Sequence, residues 1–129
     1  MLVTGAALAA GCGTAAVPSS GGNASQGERA YQKCYSCHAL EPGAAKLEGP
    51  TLRGIVGRRV AAEAGFQYSP AMRRFAQRHP RWTPQLLDRY VADPEALVPR
   101  TSMNFHGVAE AEERRGLISY LERIGGRTR

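Results

Sequence analysis

The 129-residue chain lacks any apolar run long enough to cross a bilayer, and its mean hydropathy is −0.35. A membrane-spanning helix needs about 18 to 20 consecutive apolar residues, so the sequence reads as one globular domain. It lacks a cysteine framework as well: three cysteines is an odd number and too few to staple a small secreted fold. No internal repeat and no convincing strand pattern occur, which argues against solenoids and sheet-based folds. Residues Met1 to Cys12 contain no Lys or Arg, so an N-terminal leader would lack the usual basic start.

What is present is positive charge, glycine and proline. Seventeen Lys and Arg against eleven Asp and Glu give a formal charge of +6, and fifteen Gly with eight Pro imply long loops. With 43% hydrophobic and 22% charged residues the composition is that of a folded chain. A basic chain suggests nucleic acid, but Arg53, Arg58, Arg59, Arg73, Arg74, Arg78 and Arg81 form no stripe interleaved with aromatics. Steering towards acidic partner proteins fits this pattern better, and no nucleic acid is expected.

The uncharged start suits the apolar region of an export signal over residues 1–11. Leu8-Ala-Ala-Gly-Cys12 resembles a bacterial lipobox, which makes Cys12 a lipidation candidate; the alternative is a plain signal peptide with Cys12 incidental. Residues 12–24 are small, polar and broken by Pro and Gly, as in a flexible tether, and the domain is expected over residues 25–126. Ser25 with Glu28 reads as a capping box opening the first helix. Thr83-Pro84 opens a second that runs to Asp93-Pro94. Leu117, Ile118, Tyr120, Leu121 and Ile124 mark a last helix over residues 110–124, stopped by Gly125-Gly126. Residues 40–65 show neither helical nor alternating period. An all-α domain of three or four short helices with such loops needs something large and apolar to fold around.

Cys34-Tyr-Ser-Cys37-His38 is the CxxCH pattern of covalent haem attachment. Two thiols one helical turn apart add across the haem vinyl groups, and the following imidazole points at the iron. A thioredoxin-like pair would need an α/β sheet, and a zinc site would need a second pair of ligands. The sixth iron ligand is sought among Met72, Met103, His79 and His106. Met103, in the Pro99-Arg-Thr-Ser-Met103-Asn-Phe105 loop, is the leading candidate and His106 its rival. Met72 reads as packing, and His79 as a solvated residue in an Arg-rich surface loop.

In this order the sequence resembles a class I c-type cytochrome of the mitochondrial and alphaproteobacterial soluble type. The resemblance runs from Gly27 to Ile124 through Gly49-Pro50-x-Leu52-x-Gly54, Gly57-Arg58, Gly65-Phe66-x-Tyr68-Ser69, Trp82, Tyr90, Asp93-Pro94, Thr101-x-Met103 and Leu117-Ile-x-Tyr120-Leu121. It implies the cytochrome c fold with one haem c on Cys34 and Cys37 and with His38 and Met103 on the iron. It also implies that the Pro50 carbonyl accepts from His38, and that Arg58, Tyr68, Trp82 and Thr101 hold the inner propionate. Tyr90 would reach the Met103 sulfur, and Gly27 and Tyr31 would cross Leu117 and Tyr120. Departures are Arg100 and Ala61 at positions where the family favours Gly, Ser102 where Lys is common, and a longer Tyr68-to-Trp82 segment.

The function implied is one-electron transfer without catalysis, from a quinol-oxidising complex to a terminal oxidase or similar acceptor with acidic docking faces. The expected location is the periplasmic side of a bacterial inner membrane, lipid-anchored through Cys12 or soluble without it. Two alternatives stay open: a haem subunit of a dehydrogenase or oxidase complex, and a peroxidase-like or gas-binding haem if Met103 is labile.

Overall fold

The computed structural model describes residues 21–41 and 47–126. The expected leader (residues 1–11), Cys12 and the expected tether up to residue 20 lie outside the described residues. Among the described residues five helices follow one another: α1 (Gly21–Tyr31), α2 (Pro70–Arg78), α3 (Pro84–Ala92), α4 (Pro94–Leu97) and α5 (Ala111–Gly125). Among the described residues there is no strand, only an isolated antiparallel bridge between Arg59 and Arg81. No helix among the described residues is long and apolar enough to cross a membrane.

Helices α2, α3 and α4 begin where the chain supplies both a side-chain acceptor and a proline. Ser69, Thr83 and Asp93 each accept a backbone N–H from Met72, Leu86 and Ala96, and each is followed by Pro at the first helical position. That pairing satisfies an orphan donor and presets φ for the first turn. The structure differs from the sequence expectation at two helices. The backbone of α1 is already helical at Gly21, so Ser25 lies within the helix and not at its cap. Residues 70–78, read as part of an Arg-rich loop, form α2, with Ala71, Met72 and Phe75 as its buried face. His79 caps α2 half-buried, its ring 4.4 Å from that of Phe75, where a solvated residue was expected.

α1 packs across α5, the most extensive helix pair. A Cβ on Gly27 would overlap the Gly116 carbonyl oxygen and stand 2.6 Å from Tyr120 Cβ, so only glycine lets the two backbones approach this closely. Gly116, which the sequence reading did not single out, is thus the partner at the crossing, and Tyr31 meets Tyr120 with ring centroids 5.9 Å apart. Ala30, Leu117 and Leu121 are buried beneath them. Burial is worth about 2 kcal/mol for a leucine side chain, so this crossing is the main apolar scaffold from which the loops are hung. Lys33 and Glu113 add an ion pair at its rim, 2.6 Å apart.

The same core continues between α2, α3 and the 57–60 segment. Phe75, Trp82 and Tyr90 stack in series, with centroids 6.0 and 5.2 Å apart. Gly57 N–H donates to the Trp82 carbonyl and Trp82 N–H to the Arg58 carbonyl, which ties the two segments together.

Candidate functional site

The CxxCH segment continues α1 as one further turn. Cys34 N–H and Tyr35 N–H donate to the Tyr31 carbonyl, and Cys37 N–H and His38 N–H donate to the Cys34 carbonyl. The two thiols therefore stand one turn apart, and neither is in a disulfide. Burial pushes the Cys34 thiol up to about 11, which keeps it protonated at neutral pH. Tyr31, buried in the α1–α5 crossing, donates its hydroxyl to the His38 carbonyl at 2.6 Å.

The imidazole of His38 is fixed from outside its own turn. Its Nδ1 is 2.7 Å from the Pro50 carbonyl oxygen. A carbonyl can only accept, so Nδ1 carries the proton and Nε2 keeps its lone pair. Burial, ahead of the opposing pull of that hydrogen bond, holds the ring below the usual histidine range and hence neutral, the form that binds metals. Gly49 lies against the ring face. A Cβ there would overlap Cε1 and stand 2.5 Å from Nδ1.

The loop carrying Pro50 is held in turn. Thr51 donates its N–H to Glu63 Oε2 at 2.9 Å and its hydroxyl to the Ala39 carbonyl at 3.0 Å. The Thr51 carbonyl accepts from Arg58 at 2.8 Å. Arg58 spends one further N–H on the Arg53 carbonyl, while its Nε is buried without a partner. The Tyr68 hydroxyl accepts from Glu63 N–H at 3.1 Å, and the charge of Arg58 acts on that phenol. Trp82 reaches this group through its backbone bond to Arg58. The structure thus gathers Arg58, Tyr68 and Trp82 on one side.

Thr101 and Tyr90 form a separate pair. Their hydroxyls share a hydrogen bond at 3.0 Å, and Thr101 Oγ1 also accepts Met103 N–H at 3.3 Å. Tyr90 was expected on the Met103 sulfur and Thr101 on a propionate; in the structure they hold each other. The two hydroxyls face each other between α3 and the loop, and the Met103 N–H completes the group at Thr101 Oγ1. Met103 is partly buried against the core cluster. Arg100 has φ +67° and Ala61 φ +56°, so both departures from glycine fall in the left-handed region. Among the residues that the sequence reading left aside, Glu63 and Thr51 contact this machinery. No pattern marked them, because their contact joins two loops.

These residues suit a haem c: two reduced thiols one turn apart, a neutral imidazole with Nε2 available, and a buried guanidinium nitrogen without a partner.

No protein-family model matches the chain. Individual relatives do. It is 36% identical over 100 residues to a cytochrome c2 of Agrobacterium tumefaciens, covering 78% of this chain and 90% of that protein. It is 40% identical to the c-type cytochrome cyt cy of Rhodobacter capsulatus, covering 80% of this chain and half of that protein. Among solved structures, cytochrome cH from Methylobacterium extorquens superposes with TM-score 0.69 at 32% identity, over 78% of this chain and 97% of that one. The chain belongs to the class I c-type cytochromes. It is a single-haem electron carrier, not an enzyme, and it binds haem c through Cys34 and Cys37.

Proposed function

We propose that His38 and Met103 would both ligate the haem iron, and that the protein shuttles one electron between a quinol-oxidising donor and an oxidase-type acceptor. The observation that carries the ligand assignment is the 2.7 Å bond from His38 Nδ1 to Pro50, which orients the ring and leaves Nε2 for the metal. When bound, the haem supplies an iron that alternates between ferric and ferrous. The chain keeps the ring neutral and oriented, supplies a thioether that favours the reduced state, and excludes water with its apolar cluster. Arg58 Nε, with Tyr68 and Trp82 nearby, offers positive charge and hydrogen bonding to a propionate that would otherwise be costly to bury.

Arg59, Arg73, Arg74, Arg78 and Arg81 are exposed, and none is ion-paired among the described residues. That excess supports docking to acidic partners, with electron-transfer rates that fall as salt rises. The domain would work in the periplasm, held at the inner membrane if Cys12 is lipidated. Partition of the full chain, but not of Cys12→Ser, into a detergent phase tests the anchor.

An optical redox titration combined with carbon monoxide tests the ligand set. The expected result is a low-spin spectrum, a weak sulfur-to-iron band in the oxidised form, and no carbon monoxide uptake by the reduced form at neutral pH. Loss of that band with ready uptake would instead support the gas-binding reading, which the left-handed Arg100 beside Met103 keeps in play.

A further inference from the structure

We propose that Glu63 is a positioning residue that lowers the electron affinity of the haem iron through the Pro50–Thr51 peptide group. The Thr51 N–H and the Pro50 C=O are the two ends of one planar, conjugated unit. Glu63 Oε2 accepts the N–H end at 2.9 Å, and the C=O end accepts His38 Nδ1–H at 2.7 Å. A carboxylate on the N–H draws electron density towards the carbonyl oxygen, since hydrogen bonds in series polarise one another. The carbonyl then pulls harder on Nδ1–H, and the imidazole becomes a stronger donor through Nε2. A stronger donor favours ferric over ferrous iron. The inference rests on the reading of His38 as an axial ligand.

The placement of Glu63 is over-determined. Its own N–H is taken by the Tyr68 hydroxyl at 3.1 Å, and Phe66 N–H donates to its carbonyl at 3.4 Å. Thr51 is held by its hydroxyl on Ala39 and by Arg58 on its carbonyl. The Arg58 contact falls on the next peptide unit along the chain, so the guanidinium does not cancel the polarisation of the Pro50–Thr51 unit. Glu63, the Pro50–Thr51 peptide and His38 are thus joined in series, with hydrogen bonds of ordinary length at both ends.

A merely structural role for Glu63 predicts a different sign. Loosening this loop would admit water, and water stabilises the more charged ferric form, which lowers the potential. Removing the carboxylate charge from the relay raises it. The decisive variant is Glu63→Gln, which keeps an acceptor oxygen and removes the charge. Two readouts on the holoprotein are needed: the midpoint potential and the proton resonance of His38 Nδ1–H in the reduced state. The expected result is a rise equivalent to about threefold in the oxidised-to-reduced ratio, ~28 mV at ~59 mV per tenfold for one electron, together with an upfield move of that resonance. An unchanged or lower potential overturns the proposal. A higher potential with an unmoved resonance also overturns it, because the charge would then act through space alone. If Glu63→Gln yields no holoprotein, amide exchange of the unmodified protein decides: Thr51 N–H should be protected, and exchange at the rate of an open amide sinks the relay. Failure of the underlying reading looks different, because the unmodified protein would then lack the low-spin spectrum of a His-ligated haem.

Discussion

Around His38 the chain is held from several directions, whereas around Met103 the loop mostly holds itself. On the His38 side, Tyr31 takes the His38 carbonyl, Pro50 the ring, Gly49 the Cys37 carbonyl, Leu52 and Thr51 the Ala39 carbonyl, and Glu63 and Arg58 the two ends of Thr51. On the Met103 side, Thr101 N–H bonds back to Val98 and Phe105 N–H to Met103. Met103 N–H rests on Thr101; from outside, Tyr90 of α3 reaches Thr101 and the Glu95 carboxylate of α4 accepts the Arg100 N–H. Arg100 adds a left-handed backbone that a side chain disfavours. The lesson is that the two proposed ligands of one iron differ in how much of the protein would have to move to release them.

The comparison can be broken most forcefully at Gly49. Gly49→Ala places a Cβ on the His38 ring and should cost about 3 kcal/mol, since ring or loop must shift against several fixed bonds. A denaturant titration of the holoprotein with its oxidised spectrum would show this, and an unaltered midpoint would refute the tight fit. Next in size is Tyr90→Phe, which removes the bond from α3 to the Met103 loop. It should cost ~1 kcal/mol and raise carbon monoxide affinity of the reduced protein, with the His38 side unaffected.

Smaller and of opposite sign is Arg100→Gly. Relief of the left-handed Arg, offset by the extra freedom of unfolded glycine, should leave a gain of about 0.5–1 kcal/mol and weaken carbon monoxide uptake. Ala61→Gly sharpens the contrast: a similar or smaller gain in denaturant midpoint, but no change in uptake, because Ala61 lies in the other loop. The smallest effect belongs to Lys33→Ala. Its bond to Glu113 is half-exposed and should be worth less than ~0.5 kcal/mol, shrinking further in salt.

Legibility from the sequence followed locality. Thr83-Pro84 and the 3–4 spacing of Leu117, Ile118, Tyr120 and Leu121 yield α3 and α5 to within a residue, because cap chemistry and amphipathic period are written in neighbouring positions. α2 carried the same opening, Ser69-Pro70, but its apolar face is only Ala71, Met72 and Phe75 among arginines, so it read as loop. The CxxCH turn was legible because its geometry spans five consecutive residues. Departures at Ala61 and Arg100 were visible as residue types, yet only the backbone shows that both sit at positive φ.

The chain by itself determined the covalent haem site, the all-α class and the order of the family's motifs, since each depends on spacing along a few residues. The tertiary structure alone decided that Gly27 meets Gly116, that Tyr90 and Thr101 hold each other, and that Glu63 reaches the peptide behind His38. Those contacts join loops and helices far apart in sequence. Their partners are chosen by which backbone groups burial leaves without water, and no local pattern records that choice.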